Sequence, residues 1–539
     1  MSTTAVDEAS AAPEEPPRRR RFSRAWLLRF AASGVSGFGL YLSFAPRPLW
    51  WLAPLAFTGL ALVLRGRSFR GAFGYGYVFG VAFFLPLLTW LQAFLGPSFG
   101  PWPWLGLSAV LALYLALVAG LITLVTRLPL APVWAALLVI AAETPRAWFP
   151  LGGFPWGRVA FSQPEGAFLP LASVGGAPLV GFAVVLTGFG IAALIRTVFI
   201  QKGRTREWRR LAVPLAAALV PAIAGLALWP TIGTEAQDGT LTVAAVQGNA
   251  PDVGIALEGM RGVLRANHLA ESQVLLTDIR AGRVPKPDLL IWPETATALR
   301  GDDPGIDQMV ASFGIPAIIG AQTWRPDGGV QNSAIAWDPV TGPGKEYNKS
   351  QLVPFGEYVP ARDLARLVTP FVDDTSDMTP GDRTNAALDV AGTKVGVFIC
   401  YEAAFDHPAR DAVAQGAELL VVPTNNAWYG PGEMSYQQLA MSRLRAVEHG
   451  RAVVVSATSG VSAIVRPDGT IARSTGLFTA ASLVESVPLR QTTTLSDRLG
   501  VWTEYGLVGA ALAGLLAGVV LRFRTRRTAT EIARSQAPG

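Results

Sequence analysis

The residue in this sequence best suited to covalent chemistry is Cys400, the only cysteine among 539 residues. It lies in the stretch KVGVFICYEAAFD, residues 394–406, and a mostly apolar, β-branched run precedes it. That run predicts a buried strand, and α/β folds place their reactive groups where strands end. Two interpretations follow: Cys400 is a small hydrophobic residue of the core, or it is a nucleophile.

Two other stretches present a charged residue in an apolar setting. Glu294 closes the stretch LLIWPE, in which Pro293 stops the strand. This carboxylate is either a charge at a helix N-terminus or a general base whose pKa is raised by burial. Lys349 closes the stretch YNK, and it is either a solvated loop charge or the cation of a site.

Together these residue types would suit acyl transfer. A cysteine thiol is mostly protonated near neutral pH, so a nucleophile needs a base or a positive field beside it. Glu294 can supply the base, Lys349 the positive charge, and the backbone N–H of Tyr401 a second donor for the oxyanion. The competing arrangement pairs Cys400 with His407, although the sequence around His407 is typical of a turn or helix start.

The elements that must position these residues are predicted between Gly239 and about residue 490. Short β-rich runs alternate there with helical stretches, notably Leu257–Arg280 and Ser435–Glu448, which is typical of an α/β domain. The predicted strands are Leu241–Gln247, Asp288–Trp292, Ala317–Gln322, Ser333–Trp337, Lys394–Ile399, Glu418–Pro423 and Ala452–Ala457.

The rest of the chain predicts a membrane protein. Half of the residues are hydrophobic and the mean hydropathy is +0.35, which is high for a soluble globular chain. A bilayer needs roughly 20 residues of helix per crossing. Seven candidates lie in a membrane domain at 26–230, and one more lies at 501–521. The seven are residues 26–45, 49–64, 71–95, 102–126, 131–148, 175–199 and 211–230.

Charge distribution gives these crossings one orientation. The net charge is +6, and the arginines cluster beside apolar segments. This distribution favours a function of these arginines in membrane orientation over one in nucleic-acid binding. The positive-inside rule makes the disordered tail at 1–25 and the tail at 522–539 cytoplasmic, and it puts the domain at 239–490 on the outer face. Within the helices, Glu143 is the main charged candidate for transport, but an end-of-helix carboxylate beside Arg146 is the preferred interpretation.

Four motifs in order give the sequence a family resemblance. They are WPE at Glu294, YNK at Lys349, VPFGEYVP around Glu357 and ICYE at Cys400. This set resembles the nitrilase superfamily with its Glu-Lys-Cys triad, and together with the multi-helix segment it is most similar to the apolipoprotein N-acyltransferase family. Three further stretches are similar to family landmarks: VQGN at 246–249, NNAWYG at 425–430 and SRLRAVEHGR at 442–451.

The resemblance implies a polytopic α-helical membrane domain plus an α/β domain with the nitrilase-like α-β-β-α sandwich. It also implies a role for each motif residue. Glu294 is the general base, Lys349 the cation that stabilises the oxyanion and Cys400 the nucleophile, while Glu357 is a supporting acid, and Tyr401 and Glu402 shape the pocket.

The implied reaction is a ping-pong transfer. Cys400 takes the sn-1 acyl chain of a phospholipid as a thioester, and the α-amino group of a lipoprotein's S-diacylglyceryl-cysteine then takes it as an amide. This would be the last step of lipoprotein maturation at a bacterial inner membrane. We expect no metal, no cofactor and a monomer, since one cysteine excludes a Cys-rich metal site.

Two other functions stay open at this stage. One is a membrane-tethered, nitrilase-like amidase that uses water as acceptor, and the other is a transporter or scaffold with an inactive outer domain. The sequence also departs from the family pattern at Asn426, at Gln438 and at residues 254–256. Residues 364–385 are predicted to be a lid or a surface loop.

Overall fold

The computed structural model describes residues 23–96, 100–150, 152–200, 209–366 and 377–535. A helical region comes first, a domain built on two β-sheets follows, and a long helix near the C-terminus returns to the helical region. The helices of the first region are α1 (Arg24–Leu42), α2 (Leu52–Leu64), α3 (Phe69–Leu87), α4 (Leu91–Leu95), α5 (Trp102–Val125), α6 (Ala131–Arg146), α7 (Ala172–Ile195) and α8 (Arg209–Leu228). The returning helix, α15, is Trp502–Ser535, and the shorter helices between them are introduced below.

Small residues let the apolar helices approach closely. A Cβ added at Gly76 would lie 2.4 Å from Ala119 Cβ, and one at Gly80 would lie 2.8 Å from Ala112 Cα. Both glycines are on α3 and both alanines on α5, so these two helices pack backbone against backbone, as is typical of membrane helices.

Four described helical segments are long and apolar enough to cross a membrane: Trp102–Val125, Leu169–Phe199, Arg210–Thr231 and Trp502–Thr525. The predicted crossing at 71–95 is two helices, α3 and α4, which the residues around Trp90 separate. The predicted crossing at 175–199 starts earlier, and its helix, α7, is broken at Gly175 and Gly176. The full set of eight crossings stays a prediction.

The first sheet has the strand order β13-β1-β2-β4-β5-β6, with β3 pairing to β4. Its strands are β1 (Thr240–Gln247), β2 (Leu289–Ile291), β3 (Thr297–Leu299), β4 (Ala317–Trp324), β5 (Val330–Asp338), β6 (Gly342–Asn348) and β13 (Ala481–Pro488). Strands β1, β2 and β4 are parallel, so their carboxyl ends meet at one edge of the sheet.

The second sheet has the order β12-β11-β10-β9-β8-β7. Its strands are β7 (Ala387–Val390), β8 (Thr393–Val397), β9 (Leu419–Thr424), β10 (Val453–Ala457), β11 (Ala463–Val465) and β12 (Ile471–Ser474). Strands β8, β9 and β10 are parallel and consist almost entirely of buried apolar residues, as expected when both faces of a sheet are covered.

The two sheets face each other, and helices cover their outer faces. Helices α9 (Arg261–Arg280) and α10 (Pro304–Phe313) pack on the first sheet, and α12 (His407–Ala414) and α13 (Met434–His449) pack on the second. Between the sheets, the Ser456 hydroxyl donates to the Ile291 carbonyl at 3.2 Å. The α-β-β-α sandwich implied by the resemblance is therefore confirmed.

Each predicted strand is present, but six strands were not predicted: β3, β6, β7, β11, β12 and β13. Most of them are short, and β6 (GPGKEYN) and β12 (IARS) are rich in glycine or polar residues. Such strands form because a partner strand satisfies their backbone, so local sequence carries little signal for them.

The two remaining α-helices are short, α11 (Arg362–Arg366) and α14 (Leu495–Leu499). Residues 367–376 of the predicted lid or surface loop, and residues 1–22 of the predicted N-terminal tail, lie outside the described residues. The predicted tail at 522–539 is helical as far as Ser535, because α15 continues beyond the apolar run.

Candidate active site

Three strand ends bring the predicted triad to one cavity. Glu294 follows β2, Lys349 follows β6 and Cys400 follows β8, and the three residues are 4%, 1% and 3% exposed. Lys349 is therefore not a solvated loop charge. Glu294 does not start a helix either, because β3 follows it and pairs with β4.

Backbone conformation turns the cysteine out of its strand. Cys400 has a φ of 52°, in the left-handed region that non-glycine residues rarely adopt, and it begins a tight helical turn, Cys400–Ala404. Thr295, directly after Glu294, also has a positive φ of 48°. Strained residues of this kind cluster at functional sites, where the surrounding fold holds them in place.

Lys349 lies between two carboxylates. Its Nζ donates to Glu294 Oε1 at 2.8 Å and to Glu357 Oε1 at 3.0 Å. Burial by itself lowers the pKa of Lys349, but the charges of Glu294 and Glu357 outweigh burial and raise its pKa well above the ordinary value. Lys349 is therefore a cation at every physiological pH.

Asn332 joins the same two carboxylates and was not predicted. Its Nδ2 donates to Glu294 Oε1 at 2.6 Å and to Glu357 Oε1 at 2.7 Å. Its Oδ1 has no partner among the described residues, although Asn332 is buried. The available signal was the run Gln331-Asn332-Ser333, three polar residues inside a buried strand.

The second oxygen of Glu294 accepts from the backbone N–H of Asn425 at 2.7 Å. Glu294 therefore receives three donors, which fix the orientation of its carboxylate. Asn425 is itself held by the Thr458 hydroxyl, which donates to its Oδ1 at 2.9 Å.

Electrostatics keep Cys400 protonated at neutral pH. Burial and the neighbouring Glu294 raise the pKa of the Cys400 thiol to about 12, against the opposing effects of Lys349 and the Thr424 hydroxyl. A thiol in this state reacts as a nucleophile only when a base removes its proton, and the carboxylate beside it is Glu294.

The cavity around these residues is lined by both polar and apolar side chains. Its charged and polar lining is Arg261, Glu294, Thr295, Gln322, Asn332, Lys349, Glu357, Cys400 and Asn425. Its apolar and aromatic lining is Phe94, Leu257, Leu264, Val353, Gly356, Met378, Trp428 and Tyr429. Because Phe94 belongs to α4, the helical region forms part of the wall.

The other predicted site residues differ in placement. Glu357 lines the cavity, and its second oxygen accepts from the Val353 N–H at 2.8 Å. Tyr401 is absent from the lining: its ring stacks on Trp156 of the helical region at 6.4 Å, and its hydroxyl donates to the Gly153 carbonyl at 3.2 Å.

Glu402 is also absent from the lining and is completely buried. Its Oε1 accepts from the Tyr347 hydroxyl and the Ser350 N–H, each at 2.8 Å, and from the Gln351 N–H at 3.0 Å. Its Oε2 accepts from the Ile399 N–H at 2.7 Å. Glu402 therefore ties the chain after β6, which carries Lys349, to the chain that carries Cys400.

The competing histidine lies elsewhere. His407 begins α12, contacts Phe405 with its ring and does not line the cavity. Burial and Arg383 lower the pKa of His407 to about 4, so it is neutral near pH 7. Among the described residues, no group of three or more His, Cys, Asp or Glu side chains could hold a metal ion.

Two departures from the family pattern contact each other. Asn426 Nδ2 donates to Gln438 Oε1 at 2.7 Å, and the Thr424 hydroxyl donates to the same oxygen at 2.9 Å. Of the three further landmarks, VQGN is structural: Gln247 Nε2 donates to the carbonyls of Gly476 and Thr479, both at 2.9 Å.

Comparison with known proteins covers nearly the whole chain. Residues 36–190 match the family described as apolipoprotein N-acyltransferase N-terminal domain, and residues 242–495 match carbon-nitrogen hydrolase. The apolipoprotein N-acyltransferase of Mycolicibacterium smegmatis is 37% identical over 96% of this chain and 91% of that protein. The apolipoprotein N-acyltransferase of Pseudomonas syringae pv. tomato is 32% identical over 87% of this chain and 92% of that protein.

A solved structure is also similar. The nitrilase-superfamily member Nit3 of Saccharomyces cerevisiae is 17% identical, with a TM-score of 0.34 over 46% of this chain and 90% of that chain.

Proposed function

Since this chain belongs to the apolipoprotein N-acyltransferase family, we propose that it moves an acyl chain from a phospholipid to a lipoprotein through a thioester on Cys400. The acceptor is the α-amino group of the lipoprotein's N-terminal S-diacylglyceryl-cysteine. The observation that carries the proposal is the contact of one buried cation, Lys349, with two carboxylates beside the lone cysteine.

In the first half-reaction Glu294 takes the proton of the Cys400 thiol, and the sulfur attacks the carbonyl carbon of the sn-1 ester. Lys349 and the backbone N–H of Tyr401 stabilise the oxyanion that forms. The ester C–O bond then breaks, Glu294 returns the proton to the leaving glycerol oxygen, and lysophospholipid departs. Glu357 and Asn332 hydrogen-bond within this group and so fix the positions of Lys349 and Glu294.

In the second half-reaction the acceptor amine attacks the thioester carbonyl carbon, and Glu294 takes a proton from the amine. The C–S bond breaks, the amide forms, and the proton returns to the Cys400 sulfur. The enzyme ends as it began, so each turnover needs no cofactor in this scheme. The lipid character of both substrates is supported by the cavity wall, where Phe94 of the helical region joins residues of the sandwich.

The test is direct detection of the intermediate. Purified protein incubated with phospholipid should gain the mass of one acyl chain, and the Cys400→Ala variant should gain none. Glu294→Gln should still fold and acylate at least ~10²-fold more slowly, since a general base is lost. An acyl adduct that persists in Cys400→Ala would rule out the nucleophile assignment.

The chain is a membrane protein with several candidate spans. We propose that the sandwich domain lies on the extracytoplasmic face and that both termini are cytoplasmic, as the arginine distribution supports. A reporter enzyme fused after Gly233 should then be active only if it works outside the cytoplasm. A cytoplasmic signal from that fusion would overturn this orientation.

A further inference from the structure

We propose that Trp148 and Trp502 lie where the hydrocarbon core of the bilayer ends on the side of the sandwich, and that Trp102 lies farther out, in the layer of lipid headgroups. The three rings thus belong to a surface that contacts lipid, and each has a defined depth. This inference goes beyond the proposed function, because it concerns how the helical region lies in a membrane and not what happens at Cys400.

The three tryptophans are exposed at helix ends. Trp102 begins α5, Trp502 begins α15, and Trp148 comes shortly after the end of α6. Their exposed fractions are 74%, 73% and 69%, whereas tryptophan is a highly buried residue on average. An indole has an apolar body and one N–H donor, so it is suited to the boundary between hydrocarbon and water. Because α5 and α15 are long and apolar enough to cross a membrane, a lipid boundary is the expected surrounding of these rings.

All three helix ends face the sandwich. Close to each tryptophan in sequence, the chain contacts the sandwich through one pair of residues. The pairs are Phe94 with Trp428, whose ring centres are 6.0 Å apart, Trp156 with Gln437, whose hydrogen bond is 2.7 Å, and Thr494 with the Glu448 carbonyl, also at 2.7 Å. The tryptophans therefore lie at one end of the helical region.

Trp148 and Trp502 lie at nearly the same level. The Thr144 hydroxyl of α6 donates to Glu504 Oε1 of α15 at 2.6 Å, so these two positions are level. Trp148 is four residues from Thr144 toward the sandwich, and Trp502 is two residues from Glu504 in the same direction. At about 1.5 Å per residue, the two tryptophans differ in level by about 3 Å.

Trp102 lies closer to the sandwich than Trp502. A Cβ added at Gly518 of α15 would lie 2.6 Å from the Leu124 carbonyl oxygen of α5, so Gly518 and Leu124 are level. Trp502 precedes Gly518 by 16 residues, and Trp102 precedes Leu124 by 22. The six additional residues place Trp102 about 9 Å beyond Trp502, outside the hydrocarbon core.

Arginines at the other end of the helices fit the same boundary. Arg522 of α15 follows Trp502 by 20 residues, and its Nη2 donates to the Thr123 carbonyl of α5 at 3.2 Å. The exposed Arg127 follows α5 at this end. Twenty residues of helix span about 30 Å, which is the thickness of the hydrocarbon core. The segment from Trp502 to Arg522 therefore has the length of the core and an interfacial residue at each end.

The experiment measures the depth of nitroxide labels in the full-length protein. Cys400 is the only cysteine, so Cys400→Ala gives a background in which Trp102→Cys, Trp148→Cys or Trp502→Cys adds a single labelling site. In phospholipid nanodiscs, power-saturation EPR compares collisions with oxygen, which concentrates in hydrocarbon, and with a water-soluble nickel chelate. We expect the labels at 148 and 502 to agree in depth within ~3 Å, and the label at 102 to lie ~9 Å closer to water.

Two positions calibrate the depth scale. Leu516→Cys places the label on the exposed side of α15, well inside the segment from Trp502 to Arg522, where oxygen should reach it and nickel should not. Val340→Cys places it on the turn between β5 and β6 of the sandwich, where the side chain is 89% exposed and nickel should reach it freely.

Three results would overturn the inference. The first is a label at 148 or 502 that is as deep as the label at 516 or as accessible to nickel as the label at 340. The second is equal depth at 102 and 502. The third is low accessibility to both reagents, which would show that protein and not lipid covers these rings. Phe149→Cys and Tyr505→Cys, at exposed neighbours of two of the tryptophans, repeat the test if a tryptophan is needed for folding. The result is independent of acyl transfer, because Cys400→Ala removes the proposed nucleophile.

Discussion

At the scale of single residues, the site is a balance of buried charges. Glu294 raises the pKa of Cys400 and Lys349 lowers it, while burial has the largest effect and brings the pKa to about 12. In the proposed mechanism, the carboxylate of Glu294 disfavours the resting thiolate of Cys400 but serves as the base that removes the thiol proton in the transition state. The same residue should therefore affect thiolate content and catalysis in opposite directions.

These opposite effects predict the direction in which two rates of the Glu294→Gln variant change. Glu294→Gln removes a charge that raises the pKa of Cys400, so more thiolate forms at pH 8 and alkylation by iodoacetamide should accelerate, by ~10-fold for each pKa unit lost. Acylation by phospholipid should slow in the same variant. Alkylation rates measured between pH 7 and 10 by mass spectrometry test it.

Lys349→Met is the matched variant, and it should change the alkylation rate in the opposite direction. Because Lys349 lowers the pKa of Cys400, its loss should raise that pKa further and slow alkylation across the same pH range. If Glu294→Gln and Lys349→Met changed the alkylation rate in the same direction, the charge balance described here would be wrong.

At the scale of elements, Glu402 fixes the positions of the two sheets relative to each other at the site. Its carboxylate accepts hydrogen bonds from the chain after β6 and from Ile399 after β8. The first of these segments directly follows Lys349, and the second directly precedes Cys400. Burial raises the pKa of Glu402, but the backbone N–H of Ile399 and the Ser350 hydroxyl oppose it by favouring the ionised form. Glu402 thus positions Lys349 and Cys400 without lining the cavity.

Glu402→Gln should destabilise the sandwich. The variant amide would face several N–H and O–H donors with its own NH₂ group, which leaves buried donors unpaired and should cost about 3 kcal/mol. We expect a lower midpoint of thermal unfolding and a reduced acylation rate. The control is Asp389→Asn, which removes an exposed carboxylate near Lys394 and should change the midpoint little.

If Glu402→Gln lost activity with an unchanged unfolding midpoint, Glu402 would have a direct catalytic role instead. That outcome would return it to the cavity-shaping group that the family resemblance implies.

At the scale of the whole molecule, buried charges and aromatic rings join the sandwich to the helical region. Arg158, in the connection between α6 and α7, donates to both oxygens of Asp406 at 2.8 Å, and Arg445 Nη2 lies 2.8 Å from the same carboxylate. Trp156 Nε1 donates to Gln437 Oε1 at 2.7 Å. Because Asp406 closely follows Cys400, this junction fixes Cys400 relative to the helical region.

Arg158→Met should loosen that junction. Removing one partner of a buried ion pair leaves charge uncompensated and typically costs ~3–5 kcal/mol. We expect a lower unfolding temperature and faster proteolysis of the linker after α8. Arg47→Met, which breaks a partly exposed pair with Glu433, is the control and should cost less than ~1 kcal/mol. Equal effects of the two variants would show that burial of the Arg158 pair is unimportant.

The buried acid of α6 also belongs to this junction. Glu143 Oε1 accepts from the Val159 N–H at 2.8 Å and lies 3.8 Å from Arg146 Nη2. Its Oε2 is 3.7 Å from Arg158 Nε. The end-of-helix interpretation of Glu143 beside Arg146 therefore fits its contacts, and this carboxylate is a structural partner of the connection that carries Arg158.

The sequence by itself determined the apolar helical region, the α/β class of the second domain and the order of the motifs at Glu294, Lys349 and Cys400. These features depend on local patterns: apolar runs long enough for a bilayer, and buried strands that stop at a polar residue. Tertiary structure alone decided the contacts of Asn332, the function of Glu402 as a tie between strands, and the position of Arg261 in the cavity wall. It also decided the six unpredicted strands. Each of these depends on a partner distant in sequence, whose hydrogen bonds and charges exist only once the two sheets and the helices have packed together.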